Sequence, residues 1–205
     1  MKTIEITDIN QFYKKIFWYK KPWYKNTTFT TNIKDVQLQY AIDALNIKSR
    51  NRRIEFVYDA ICKYIDDYYA GENICSFCNN KCLVQTGNSL KFTNGCCRLC
   101  RYQSSKGCKS SNISCKLFYC DSIKKKHKIM TYKDIKLFKL FSLRQRIMCT
   151  HNFFASREAI LLDLKFGSIL IYGYRLLYRI AINLLWLQFK LPTLHKQMAK
   201  NRLES

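Results

Sequence analysis

The sequence predicts a mainly α-helical fold, with helical flanks around a cysteine-rich, metal-organised insert that has little regular structure. Three observations carry this expectation. Apolar side chains recur at helical spacing before residue 71 and again after residue 130. Between residues 72 and 123 that periodicity disappears and turn-forming residues take over. Nine of the 11 cysteines fall inside the same stretch, from Cys75 to Cys120. The chain therefore divides into an N-terminal helical part (1–71), a cysteine-rich metal-binding module (72–123) and a C-terminal helical part (124–205). With 205 residues and 48% apolar composition, the flanks can bury a core of their own.

The first element is a helix that Asp8 caps and that runs through INQFYKKIFWYKK until Pro22 stops it. Residues 12–25 hold seven aromatics and five lysines. Cations interleaved with rings suit a nucleic-acid strand, through charge and stacking. They also suit a lipid surface, or simply a docking helix with solvated lysines. KNTTFTTN then reads as loop. KDVQLQYAIDAL reads as a short helix ending near Asn46. In RRIEFVYDAICKYIDDYYAG, Ile54, Val57, Tyr58, Ile61, Tyr64, Ile65 and Tyr68 recur at helical spacing, and Gly71 supplies the stop. Cys62 lies beside that stripe and reads as a small buried core residue.

The middle of the chain is punctuated by Asn79-Asn80, Thr86-Gly87-Asn88 and Asn94-Gly95 as turns, with loops at Ser104-Ser105-Lys106-Gly107 and Ser110-Ser111-Asn112. It has too few large apolar residues for a core. After the basic run 124–128, Thr131 is the expected cap of a helix through KDIKLFKLFSLRQRIM. Ser156, with Glu158 in the first turn, is the expected cap of REAILLDLKF, which Gly167 breaks or bends. The last helix, SILIYGYRLLYRIAINLLWLQFK, is expected to end at Pro192. Ser168, Tyr172, Arg175, Arg179, Asn183, Trp186 and Lys190 share one narrow face of it, and the other positions are almost all apolar. Such a helix is either a deep core element or an interfacial membrane helix, and two arginines one turn apart speak against simple spanning. The core is the expectation, because the upstream amphipathic helices need a partner.

The cysteines run Cys75-x2-Cys78-x3-Cys82, then thirteen residues, then Cys96-Cys97-x2-Cys100-x7-Cys108-x6-Cys115-x4-Cys120. Cys-x2-Cys puts two thiolates on one tight turn, and two such turns complete a tetrahedral site. Cys75 and Cys78 with Cys97 and Cys100 supply both halves, and the eighteen residues between Cys78 and Cys97 suit a small zinc ribbon. Four of Cys82, Cys96, Cys108, Cys115 and Cys120 make a second site in several pairings. One or two zinc ions are the expected cofactor, with an iron–sulfur cluster as the alternative, since all-thiolate donors suit both. Each four-thiolate zinc site carries a formal double negative charge, which Arg98, Arg101, Lys106 and Lys109 offset.

Formal net charge is +22, from 36 Lys and Arg against 14 Asp and Glu. The excess is uneven: 12 basic against 8 acidic residues in 1–70, 10 against 2 in 71–127, and 14 against 4 in 128–205. A surface of that sign attracts polyanions. Abundant Lys, Asn, Ile, Tyr and Phe are also what an A/T-rich coding sequence produces. The N-terminus has no apolar h-region or cleavage site, and no run of 18 apolar residues occurs. The expected compartment is the reducing cytoplasm, with peripheral membrane attachment open; clustered thiols there bind metal more often than they pair. His127, His151 and His195 are scattered and there is no phosphate-cradling glycine loop, so no hydrolase, transferase or small-molecule substrate is indicated.

GCCRLCRYQSSKGCKSSNISCKLFYC (95–120) resembles a signature of small uncharacterised bacterial cysteine-rich proteins, of the form CC-x2-C, then GC, then CKL-x2-C. FSLRQRIMCTHNFFASREAILLDL resembles the helical continuation found there. This resemblance implies no particular activity. A weaker likeness is to the zinc- or iron-chelating CxxCxxCC family, which includes cysteine clusters attached to flagellin lysine methylases; Cys96-Cys97 followed by Cys100, Cys108 and Cys115 carries it. The chain departs from that family by spreading its first group over Cys75, Cys78 and Cys82, and by having Ile113-Ser114 where Arg-Pro is usual. The likeness spans about a quarter of the chain and implies metal chelation. Three functions are therefore expected: a zinc-dependent basic module for nucleic acid or an acidic protein, with Arg98, Arg101, Lys106 and Lys109 in contact; an iron–sulfur or thiol redox protein; or a protein peripheral to an anionic membrane surface.

Overall fold

The chain is helical where its apolar residues recur every three or four positions, so the mainly α-helical expectation holds. The computed structural model describes residues 2–70, 72, 77–78, 81–82, 103–104, 107–108, 110–119, 121–153, 155–167 and 169–203. The chain forms two compact units. The first joins Met1–Ala70, Ser111–Leu117 and Met130–Gly167, and the second joins Gly71–Ser110, Phe118–Ile129 and Ser168–Ser205.

The first unit starts with an element that the sequence did not announce. Strand β1 (Lys2–Glu5) pairs in parallel with β2 (Thr27–Thr30), Lys2 opposite Thr27 and Glu5 opposite Thr30. KNTTFTTN is therefore partly strand rather than loop. The physical reason is a β-branched run that alternates inward and outward, with Thr27 and Phe29 buried. Asn46 caps the open edge by exchanging two hydrogen bonds with the Phe29 backbone, at 2.8 and 2.9 Å. Parallel strands need a crossover, and helix α1 (Ile9–Tyr19) with a short 3-10 turn (Pro22–Tyr24) supplies it.

Asp8 caps α1 as expected, accepting from the Asn10 and Gln11 amides. Helix α2 (Val36–Asn46) ends where the sequence indicated, and Asp35 caps its start. Helix α3 (Arg50–Tyr68) buries Ile54, Val57, Tyr58, Ile61 and Ile65, while Tyr68 at the end of the stripe is exposed. Cys62 is buried, as its place beside the stripe implied. The stop expected at Gly71 lies outside the described residues. Burying a side chain such as Phe12, Leu38 or Ile61 stabilises the unit by roughly 1.5–3 kcal/mol each.

After helix α4 (Ile113–Lys116) the first unit resumes at Met130. Thr131 does not cap a long helix. Its amide and hydroxyl both donate to Asp134, closing a turn, and the chain continues as a 3-10 helix (Lys136–Leu140) that buries Leu137, Phe138 and Leu140. A new helix, α6 (Leu143–His151), starts at Ser142. Ser142 and Gln145 form a reciprocal capping box, a local signal that interrupts the longer periodicity. Helix α7 (Arg157–Phe166) is capped by Ser156 and ended by Gly167, whose φ of 65° is the left-handed conformation that glycine adopts without strain. Arg157 ties α7 to α3 through Glu55 and Asp59, and Lys165 adds a second bond to Glu55 at 3.0 Å.

In the second unit, two-residue strands form two antiparallel ladders. Strand β3 (Phe77–Cys78) pairs with β4 (Lys81–Cys82), and β5 (Gln103–Ser104) with β6 (Gly107–Cys108). Helix α5 (Asp121–Lys126) carries three lysines in its last turn, where the helix dipole favours cations. Helix α8 (Ile169–Leu203) runs through Pro192 instead of stopping there. A proline removes one helical donor, and the residues that follow, rich in Leu, Lys, Gln, Met and Ala, resume the helix. The expectation that α8 is a core element is also corrected, because Leu170, Tyr174, Leu177, Tyr178, Leu184, Leu185 and Phe189 are exposed. Among the described residues no helix is long and apolar enough to cross a membrane.

Candidate nucleic-acid interface

Helical geometry sorts the aromatic-basic N-terminus into two faces. At about 100° per residue, Phe12, Tyr13 and Ile16 of α1 point one way and Lys14, Phe17, Trp18 and the following Lys21 point the other. The first three are buried. Tyr19 bridges inward, with ring contacts to Phe12, Tyr24 and Phe29 at 5.8, 5.4 and 5.2 Å between centroids. The outer group is left in solvent. Phe17 is 59% exposed, Trp18 55% and Trp23 64%. Trp18 lies 6.4 Å from Phe17 and 6.5 Å from Trp23, so the three rings form one continuous patch. Lys21 stands 4.6 Å from the centre of the Phe17 ring and Lys20 5.7 Å, and Lys14, Lys15 and Lys25 are exposed nearby in the chain.

Lys20 also belongs to a cavity of about 320 Å³ within the first unit. Arg50 and Arg53, from the first turn of α3, line it together with Lys20. Ile54, Val57, Leu140 and Phe141 give it an apolar wall, and Ser142 and Gln145 bring the start of α6 to it. The cations there hydrogen-bond to main-chain carbonyls: Lys20 to Leu140 at 3.1 Å, Arg50 to Lys165 at 3.0 Å and Arg53 to Lys48 at 3.5 Å. Arg146 of α6 donates to the Phe141 carbonyl at 3.2 Å and adds its charge to that of Lys20. Burial, then Arg146 and Arg53, pull the Lys20 ammonium down to about 8. Burial lowers Arg53 as well.

Of the cysteines expected to bind metal, Cys75, Cys96, Cys97, Cys100 and Cys120 lie outside the described residues, as do Arg98, Arg101, Lys106 and Lys109. Cys78 and Cys82 are adjacent members of the β3–β4 ladder, and Cys108 belongs to the β5–β6 ladder. Cys115 is in α4, its amide bonded to the Asn112 side chain at 3.1 Å. Together with Cys62 and Cys149 it acts electrostatically on the Tyr58 hydroxyl. Burial pushes the Cys62 thiol up to about 12 and raises Cys149 too, so both stay protonated at neutral pH. Cys149, in the apolar Met148-Cys149 pair of α6, is 1% exposed and packs as a small hydrophobe. Among the described residues no three His, Cys, Asp or Glu side chains are placed to hold a metal ion.

No protein-family model, curated protein or solved structure matches this chain.

The sequence pointed to residues 12–25 as a basic-aromatic segment without separating the outer rings from the inner ones. It gave no sign of the cavity, whose cations come from the end of α1, the start of α3 and α6.

Proposed function

We propose that this protein binds single-stranded nucleic acid. The observation that supports it is the exposed ring patch of Phe17, Trp18 and Trp23 flanked by Lys14, Lys20 and Lys21. Large rings left in water cost free energy unless a partner covers them. Bases have flat faces that stack on such rings in any sequence, at roughly 1–3 kcal/mol per base, while the lysines meet the phosphates. An acidic protein would satisfy the lysines but offers no stack of planar rings. In the same proposal, zinc held by Cys75, Cys78, Cys97 and Cys100 orders the central segment, whose thiolate donors suit that ion. Cys82, Cys96, Cys108, Cys115 and Cys120 are the remaining donors, and Arg98, Arg101, Lys106 and Lys109 extend the basic surface.

The test is binding of a mixed-sequence single-stranded DNA oligomer, followed by fluorescence anisotropy across a salt series. Affinity is expected to fall linearly on a log–log plot against salt. Replacing Trp18 and Trp23 together by alanine should weaken binding by about a hundredfold, from two lost stacks. Both side chains are exposed, so thermal stability should hardly move. Affinity indifferent to both salt and the double substitution would refute the proposal.

A second reading attaches to α8, where Leu170, Tyr174, Leu177 and Phe189 are exposed on a helix that also carries Arg175 and Arg179. A cationic helix with so much exposed apolar surface suits an anionic lipid interface. Flotation with vesicles rich in phosphatidylserine should carry the protein upward, and Leu177→Asp with Phe189→Asp should leave it at the bottom. Flotation unchanged by those two charges would exclude α8 as the contact.

A further inference from the structure

We infer that the cavity beside the aromatic patch is a binding site for a phosphate monoester, contributed by the end of a nucleic-acid strand or by a free mononucleotide. The first of these sources rests on the nucleic-acid reading above; the cavity chemistry does not.

Charge imbalance is the first ground. Lys20, Arg50, Arg53 and Arg146 converge on this region, and among the described residues none of them has a carboxylate partner. The acidic groups of α3 closest in sequence, Glu55 and Asp59, are on the opposite face of that helix and are taken by Arg157 and Lys165. Lys20, Arg53 and Arg146 are half-buried, and half-buried cations without a counter-charge are destabilising, so a bound anion would stabilise the set.

Unused donors are the second ground. Arg53 Nε is buried and has no hydrogen-bond partner among the described residues. The Lys20 ammonium has three donors, and one of them meets the Leu140 carbonyl. Ser142 and Gln145, whose amides are already taken by their own capping box, line the same cavity. Burial first, and then the charges of Arg146 and Arg53, make Lys20 deprotonate more easily than an ordinary lysine, and an anion beside it would oppose both.

Shape and charge number select the monoester. A strand's internal phosphodiester carries one charge and must leave its site in two directions. A terminal phosphate carries close to two charges at neutral pH, has three free oxygens, and can enter a walled recess end-on. The cavity volume of about 320 Å³ is at the small end for ligand pockets and accommodates one terminal unit beside the wall of Ile54 and Phe141. Lys20, shared between cavity and patch, places the recess next to the rings on which the following bases would stack.

The experiment compares a single-stranded DNA oligomer with and without a terminal phosphate, on each end in turn, and adds a nucleoside monophosphate and inorganic phosphate as separate arms read by calorimetry. One phosphorylated end is expected to tighten strand binding at least tenfold. Arg53→Gln should abolish that gain, and so should Arg50→Gln, whose side chain is exposed and whose loss leaves the core untouched. If the mononucleotide binds and loses affinity in the same variants while strands do not discriminate, the monoester site stands with the free nucleotide as its source. If no phosphorylated arm is bound better than its unphosphorylated counterpart, and neither small phosphate binds, the inference is overturned. Unphosphorylated strands that still bind in a salt-dependent way would then leave the nucleic-acid reading intact. Small phosphates bound while no strand is bound would leave the cavity and remove the strand.

Discussion

Asn112→Ala is expected to destabilise the protein by about 3 kcal/mol, the full cost of stranding buried polar groups rather than the net worth of one hydrogen bond. Asn112 is 0% exposed. Its side-chain nitrogen donates to the Asn152 carbonyl at 2.6 Å and the Ala155 carbonyl at 3.1 Å, and its oxygen accepts from the Cys115 amide at 3.1 Å as the cap of α4. One side chain thus anchors the returning segment 111–117 to the loop between α6 and α7. Alanine removes the cap and both bonds donated to these buried carbonyls. Aspartate should be worse, because it brings a carboxylate against the same two oxygens. The measurement is urea unfolding followed by far-ultraviolet dichroism, with Asn51→Ala on the exposed start of α3 as the control. A shift for Asn112→Ala within about 0.5 kcal/mol of the control would show that the network is not a structural anchor.

Asn112 also shows where sequence reasoning stops. In the sequence it follows two serines and marks a loop, which it does. The two carbonyls its side-chain nitrogen meets stand 40 and 43 residues away, and no local pattern names them. Elements whose signals are local were legible. Asp8 and Ser156 each start a helix by bonding amides within three residues, and Gly167 ends one by its own φ. The elements that were not legible depend on distant partners or on competing local signals. Thr27–Thr30 becomes a strand because β1 and Asn46 complete its hydrogen bonds. The long helix expected from Thr131 is divided because Ser142 and Gln145 cap a new start. Helix α8 looked like core by its apolarity, yet composition does not say whether a partner surface exists. The aromatic patch was half visible: residue types gave its chemistry, and only the burial of Phe12, Tyr13 and Ile16 identified which rings stay outside. The cavity was invisible, since Lys20, Arg53 and Arg146 meet through tertiary packing alone.

Removing metal with a strong chelator under reducing conditions is expected to release the central segment while the first unit keeps its core. The two stretches draw stability from different sources. The first unit buries Phe12, Leu38, Tyr58, Ile61, Leu137, Phe141 and Leu164, an apolar core with no need of an ion. The segment 72–110 has few large apolar residues, and thiolate coordination would supply on the order of 10 kcal/mol per zinc site in their place. Cysteine alkylation read by mass spectrometry separates the two. With metal bound, Cys75, Cys78, Cys97 and Cys100 should label slowly, because a coordinated thiolate is occupied. After chelation they should label within minutes. Cys62 and Cys149 should resist in both states and yield only to denaturant, because burial keeps their thiols protonated and shielded. Zinc is the metal expected in purified protein, and iron would announce itself by colour. Identical labelling of the four central cysteines with and without chelator would remove the metal from the account. Labelling of Cys62 and Cys149 on chelation would instead show that the ion supports the helical core, so that folding of the first unit depends on the segment inserted within it.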